Sequence, residues 1–455
     1  MSNTQPNTIY IVCHDLGRTL GCYGEAVKSP HLDRFAAEGA LFTTAFCAAT
    51  ACSPSRGCAW SGQYSHNNGL MGLVNGGWSM PNETRTVVDY FNDAGYHTAI
   101  SGLDHVRKNR EDLRFQEDLN QNPRASTAVD AAIQFLEGRQ DEGQPFYLNL
   151  GTAEVHSSRW LSKHHFRNRS NPNLHDYARP PRPEDSFLPS AVPDFPPIRR
   201  EMANFQAAIE FLDYHLGRLL NAIDRLGFAE NTVIMFTTDH GIDGLRSKGR
   251  LYDKGMELAL MMRGPGIEPG TVIDHQIQNI DYTPTFLEAA GVDIRDDVDG
   301  KSFWPVFAGG EYSPSEMVFA ERNYHGSVAE ELYPDGTSKF YDPMRSVRTK
   351  DFHLIRNFGK DILRDWTPDE ISEVDDEGEG YMRVMFPELT EARPEVELFD
   401  LRNDPLERND VSNDPNLADT RAQLLAALDD WMKDTDDPLL AGPIPDWLNG
   451  WPPED

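Results

Sequence analysis

Four apolar runs constrain this chain more than any other feature: TIYIVC at 8–13, HTAISG at 97–102, FYLNLG at 146–151 and TVIMFTT at 232–238. Each is short and nearly unbroken in apolar residues, as a strand buried on both faces must be. Between them lie SPHLDRFAAEGALF, TRTVVDYFNDAGY, ASTAVDAAIQFLEG and REMANFQAAIEFLDYHLGRLLNAIDRLG. These place apolar residues at three- and four-residue spacing, and several end at glycine, as helices do. Strands alternating with helices predict an α/β fold with a mostly parallel sheet sandwiched by helices.

DYTPTFLEAAGV closes the helical part, and the pattern changes after about residue 310. SVRTKDFHLIRNF and EVELFDLRNDPLE alternate in the manner of antiparallel strands, and NLADTRAQLLAALDDWMKD reads as a last amphipathic helix. The expected division is a catalytic domain over 1–310 and a smaller C-terminal α+β subdomain over 311–455. A proline-, arginine- and histidine-rich stretch over 157–200 has the length of a functional cover or linker, and EVDDEGEGY reads as an exposed acidic loop.

The formal net charge of -31 excludes nucleic acid as an expected partner, because phosphate binding relies on basic patches. No run approaches the roughly 20 apolar residues of a membrane span, so no membrane partner is expected. MSNTQPNTIYIVCHD has neither a basic lead nor a signal-like apolar core, which predicts a cytoplasmic location. Five cysteines are few and odd in number, so free thiols are expected. The acidity also means that an anionic substrate would need a local cationic pocket.

The runs end on ionisable residues: His14-Asp15, Asp104-His105, Glu154 with His156, and Asp239-His240. Ligands of open α/β sheets bind outside the carboxyl ends of the strands, so these side chains are expected to meet at one edge. Any one of them alone reads more readily as a helix cap. Two carboxylates and two imidazoles together would repel or stay unsatisfied without a cation. Calcium is the ion expected, with magnesium and manganese also suited to the oxygens and zinc admitted by the softer imidazoles.

CSPSR at 52–56 carries the remaining chemistry. Pro54 and its small neighbours fit the start of a helix, where free amides and the dipole stabilise an anion. Arg56, and Lys248 in SKGRLYDKG, supply positive charge. The residues read as a nucleophile beside a divalent metal, with cations for an oxyanion and histidines for proton transfer. A redox or zinc pair of Cys52 with Cys58 would leave the strand-end carboxylates unexplained.

Cys52-Ser53-Pro54-Ser55-Arg56 matches the C-x-P-S-R signature of the type I sulfatases, with Trp60-Ser61 where leucine and threonine are usual. The chain resembles that family over nearly its whole length, through VCHDLGRTLGCYG, TTDHG, SKGRLYDKG and ELFDLRNDPLE. SHNNGLMGL, YDPMRSV and DDWMKDTDDPLLAG look most like the heparan N-sulfatase (sulfamidase) branch. The resemblance implies an alkaline-phosphatase-like fold and a sulfuric ester or sulfamate hydrolase. Its implied substrate is a sulfated saccharide or a small sulfate ester. It further implies that Cys52 is converted to formylglycine (3-oxoalanine) by a formylglycine-generating enzyme, and that the hydrated aldehyde attacks sulfur beside one divalent metal.

Residue by residue, the resemblance makes Asp15, Asp239, His240 and Cys52 metal ligands, with His14 where many sulfatases carry aspartate. Arg56 matches the arginine that steadies the formylglycine, Lys248 a sulfate-binding lysine, and His105 and His156 the active-site histidines. Gly102-Leu103-Asp104-His105 stands for the usual G-K-x-H, so the lysine is missing, and Arg107 or Lys108 is a candidate replacement. Tyr324, His325 and Arg345 are candidate sugar contacts. Two rival readings share these residues: a phosphonate monoester or phosphodiester hydrolase of the same superfamily, and a catalytically impaired sulfated-glycan-binding protein.

Overall fold

The computed structural model describes residues 5–140, 142–156, 180–189, 194, 196–243, 246–326, 332–359 and 393–446. Most of the 157–200 stretch, and EVDDEGEGY, lie outside the described residues. The four apolar runs form β1 (Asn7–Cys13), β3 (His97–Gly102), β5 (Phe146–Gly151) and β6 (Thr232–Thr238). They lie side by side and parallel in the order β3-β5-β1-β6. The register pairs Val12 with Gly151 and Cys13 with Thr238, so the strands end level with one another.

The sheet continues beyond β6 through β7 (Glu257–Arg263), β2 (Ala40–Phe46) and β8 (Thr271–Ile273), with β4 (Glu117–Asn120) at the opposite edge and β9 (Ile277–Gln278) beside β2. β2 corrects the sequence reading, which runs the first helical pattern through Phe42. Helix α1 spans Pro30–Ala37 and stops before Gly39. A Cβ at Gly39 would lie 2.1 Å from the Met262 carbonyl oxygen, so only glycine lets the chain turn there into its pairing with β7.

Helices cover both faces. Residues of α1, α4 (Ala125–Gly138) and α5 (Pro196–Arg225), including Phe35, Val129 and Leu216, pack with Ile9, Ile11 and Leu148. Residues of α2 (Cys52–Ser61), α3 (Val87–Asp93) and α6 (Tyr282–Ala289), including Trp60, Phe91 and Phe286, pack with Tyr10, Val12 and Tyr147. The alternation along β1 thus serves two cores, which is why its sequence is apolar throughout. Among the described residues no helix is long and apolar enough to cross a membrane.

A second sheet of four antiparallel strands, β10 (Val318–Tyr324), β11 (Tyr341–Arg348), β12 (Phe352–Asn357) and β13 (Val396–Asp400), carries helix α7 (Ala418–Asp434). Leu424, Leu428 and Trp431 of that helix pack with Val347, Leu354 and Leu398. β10 meets the first unit where the Glu321 amide donates to the Ala48 carbonyl (2.9 Å), four residues before Cys52.

Arg345 sits beneath this junction, fully buried, donating to Asp437 at 2.5 and 2.9 Å and to the Arg322 and Met344 carbonyls. Burial and these partners remove it from the candidate sugar contacts. Glu321 lies 3.6 Å from it and also accepts from buried His66 Nδ1 (2.8 Å). Replacing Arg345 with methionine leaves Asp437 buried without its cation. The expected loss is about 3–5 kcal/mol, read from urea unfolding; a loss below about 1 kcal/mol would mean the network relaxes around the gap.

Candidate active site

Where β1 and β6 end, the chain must change direction, and the residues that follow face one edge. Asp15 adopts a left-handed backbone at φ 53°, and its amide donates to Asp239 Oδ1 at 3.0 Å. The His240 amide donates to the same oxygen at 3.0 Å. Asp239 Oδ2 accepts from Arg56 Nε at 3.1 Å and lies 3.2 Å from His14 Nδ1. Asp239 thereby ties the two strand ends to α2.

Cys52 is the first residue of α2, 4% exposed, and no side chain caps that helix end. Arg56 follows one turn later on the same face. Ser55 Oγ donates to the Asp239 carbonyl, and Asn279 Nδ2 donates to the Ser55 carbonyl at 2.9 Å while its Oδ1 accepts the Ala48 amide. Asn279 is a brace the sequence reading missed. The isolated polar pair at 278–279 ahead of α6 was its only signal.

His14 Nδ1 lies 2.6 Å from Asp15 Oδ1, and Lys248 Nζ donates to both Asp15 oxygens at 3.0 and 2.8 Å. His240 Nδ1–H donates to the Gly241 carbonyl at 2.9 Å, which turns Nε2 inward, 3.4 Å from Cys52 Sγ. The His156 ring stands 4.3 Å from that of His14, with Nε2 3.5 Å from Lys248 Nζ. The His105 ring, on a backbone at φ 61°, lies 5.8 Å from His14.

The charges hold one another. Burial alone would raise the Asp15 carboxyl, but Lys248, His14, His156 and His240 keep it well below the usual carboxylate range. Burial would likewise raise the Cys52 thiol, and Lys248, His14 and His240 pull it well below its ordinary value. His14, despite burial, is pushed up to about 10 by Asp239, Cys52 and Asp15. A group at position 52 is therefore stabilised as an anion.

One donor atom from each of His14, Asp15, Cys52, Asp239 and His240 lies within 4.8 Å of the others. Three buried nitrogens here, His14 Nε2, Arg56 Nη2 and His105 Nδ1, have no partner among the described residues. Buried polar atoms in native structures are nearly always satisfied. The donor set fits a divalent cation, and the orphaned nitrogens fit an anion beside it.

The other sequence candidates fall elsewhere. Glu154 Oε2 accepts the Ala125 amide at 2.8 Å and so caps α4, and Asp104 pairs with Arg110 at 3.1 Å. Arg107 donates to the carbonyls of Pro81, Thr84 and Asp112, and Lys108 is exposed, so Arg107 does not replace the missing lysine. Tyr324 is buried, its hydroxyl donating to the Ile444 carbonyl at 2.6 Å, and it too leaves the sugar-contact set. His325 does reach the site: a Cβ on Gly249, beside Lys248, would lie 3.4 Å from its Nδ1. Burial and the neighbouring Lys248 push His325 down to about 4.

A candidate nucleophile at a helix start, beside a candidate cation site at the carboxyl ends of a parallel sheet, is the arrangement of a metal-assisted hydrolase. Comparison with known proteins makes this particular. The sulfatase family pattern matches residues 6–292, and that of the C-terminal part of N-sulphoglucosamine sulphohydrolase matches 241–367. The chain belongs to the sulfatase family. It is 25% identical to an ulvan-active sulfatase of Formosa agariphila, over 94% of this chain and 80% of that protein. It is 24% identical to human N-sulphoglucosamine sulphohydrolase, over 96% and 92% of the two chains. A protein solved with its substrate D-glucosamine-2-N,6-O-disulfate superimposes with a TM-score of 0.70 at 21% identity, covering 95% of this chain and 99% of the other. A phosphonate monoester hydrolase from Silicibacter pomeroyi gives 0.69 at 18%, covering 96% and 97%.

Proposed function

We propose that this sulfatase releases inorganic sulfate from an O- or N-sulfated saccharide or a small sulfate ester, using formylglycine made from Cys52 by a formylglycine-generating enzyme. The observation that carries this is the placement of Cys52: the first residue of α2, 3.4 Å from His240 Nε2, and held toward the anionic form by Lys248 and two histidines. The match of 241–367 to the N-sulphoglucosamine sulphohydrolase C-terminal pattern supports the saccharide class. The domain division at about residue 310 belongs to the same proposal.

Formylglycine supplies a hydrated aldehyde as nucleophile, and a divalent cation held by His14, Asp15, Asp239 and His240 supplies the charge that acidifies it. The chain's own groups do the rest. Arg56 Nη2, with no partner among the described residues, and Lys248 Nζ hold the sulfuryl oxygens as charge shifts onto them. His156, beside Lys248, donates the proton that the departing oxygen or nitrogen needs. His105 withdraws a proton from residue 52 in the second half of the cycle. The half-buried His325, kept neutral by burial and Lys248, offers a hydrogen-bonding edge to the sugar.

The test is sulfate release from N-sulfated and 6-O-sulfated glucosamine, measured side by side with aryl phosphodiesters. Sulfate release at least tenfold faster supports the proposal, and faster phosphodiester cleavage transfers the chain to the phosphonate-hydrolase reading. His156→Asn should lower kcat on sugar sulfates by roughly 10²- to 10⁴-fold, and less on an aryl sulfate whose leaving group needs no proton. An equal loss on both would remove His156 from the acid role.

A further inference from the structure

We infer that Asp104 and Arg110 are positioning residues: together they hold His105 in the backbone conformation that brings its ring to the site. The inference rests on the reading of His105 as the base of the proposed mechanism. His105 follows β3, which β5 separates from β1, so its ring has to reach back across a strand to come within 5.8 Å of His14. It does so on a left-handed backbone, φ 61°. That conformation is uncommon outside glycine and persists only where the surroundings over-determine it. The buried Nδ1 of the ring has no partner among the described residues and does not anchor it. The restraint has to come from the backbone on either side.

Asp104 supplies it. Its Oδ1 accepts the Val106 amide at 3.1 Å, so one carboxylate spans His105 from the residue before to the residue after. Val106 is fully buried and its carbonyl accepts the Met80 amide at 3.1 Å, which gives the far end of the span a fixed footing. Asp104 Oδ2 accepts from Arg110 Nη1 at 3.1 Å, and the same nitrogen donates to the Gly102 carbonyl at 2.7 Å. The rest of the guanidinium grips β4. Nε and Nη2 donate to the two Asp118 oxygens at 2.7 and 2.9 Å, and Nη2 also to the Asn120 carbonyl at 3.1 Å. Every N–H of Arg110 thus has an acceptor, and the turn that carries His105 is tied to the sheet edge. A lysine at 110, a point charge on a flexible stem, could not span these acceptors.

Asp104→Ala removes the span, while Asp104→Asn keeps an oxygen for the Val106 amide. Asp104 is only part-buried, so both chains should fold. The alanine variant should lower kcat for sulfate release at least about tenfold, because a misplaced base slows its own step. It should leave kcat/KM within about threefold, because His105 acts only after the leaving group has departed. On an aryl sulfate the same variant should release the aryl alcohol in a burst ahead of sulfate. Asp104→Asn should stay within about threefold of the parent and show no burst. Arg110→Lys should show the alanine pattern more weakly. Crystal structures in a Cys52→Ala background read the same restraint without turnover: His105 should leave its left-handed position in Asp104→Ala and keep it in Asp104→Asn. Asparagine as damaging as alanine, kcat/KM falling in step with kcat, or a His105 unmoved by Asp104→Ala overturns the inference. A parent that releases no sulfate, with His105 displaced by Asp104→Ala all the same, overturns the proposed function and supports the positioning.

Discussion

Replacing Cys52 with alanine is expected to abolish sulfate release, lowering kcat by roughly 10⁴-fold or more, since the reaction then lacks its nucleophile. Folding should hardly change. Cys52 is buried at the start of α2, but only its sulfur is lost, and Ser55, Arg56 and Asn279 still anchor the helix to β6 and to the loop before it. The serine variant is the sharper control. It keeps a hydroxyl at the same place yet supplies no aldehyde hydrate, so it should be as inactive as alanine. Peptide mass spectrometry of active protein should show residue 52 lighter than cysteine, its thiol carbon having become a carbonyl. Full activity from an unmodified thiol would end the formylglycine account and leave a cysteine nucleophile, for which the depressed thiol pKa would then be the reason.

The second large effect belongs to Asp239→Asn. Its carboxylate accepts two backbone amides on one oxygen and faces Arg56 and His14 with the other. The amide can still accept on the first side, so the turn should keep its shape. On the second side an NH₂ meets the Arg56 N–H, and a buried cation loses its partner. Metal affinity should fall at least about 100-fold, and turnover by roughly 10³-fold or more, several kcal/mol of transition-state stabilisation. Calorimetry and sulfate release measure the two separately. Intact metal binding with lost turnover would assign Asp239 to Arg56 alone. Intact turnover would remove it from the site.

Both predictions depend on residues legible before any fold was known. His14, Asp15, Asp239 and His240 are the first residues beyond apolar runs, and the parallel register places such residues together. Cys52 could be placed at a helix start from Pro54 and its small neighbours alone. Glu154 and Asp104 satisfy the same rule and do other work. One caps α4 and the other pairs with Arg110, because a carboxylate at a strand end serves whichever donor the next loop presents.

The second sheet was harder to read. Tyr324, His325 and Arg345 all stand on or beside β10 and β11, and alternation along a strand sends neighbours to different places. His325 faces the Lys248 corner, while Arg345 lies buried against Asp437, a partner 92 residues away. β2 and Asn279 escaped for the same reason, since their pairing depends on Met262 and Ser55, which are distant in sequence.

Local order therefore specified which residues end strands and which begins the critical helix. Periodicity and capping act over a few residues, and a single chain displays them. Which carboxylates meet a cation, which arginine reaches Asp239 and which imidazole enters the ligand shell depend on contacts spanning up to 233 residues, as between Lys248 and Asp15. Those contacts follow from burial and packing of the assembled sheets, which no local pattern encodes.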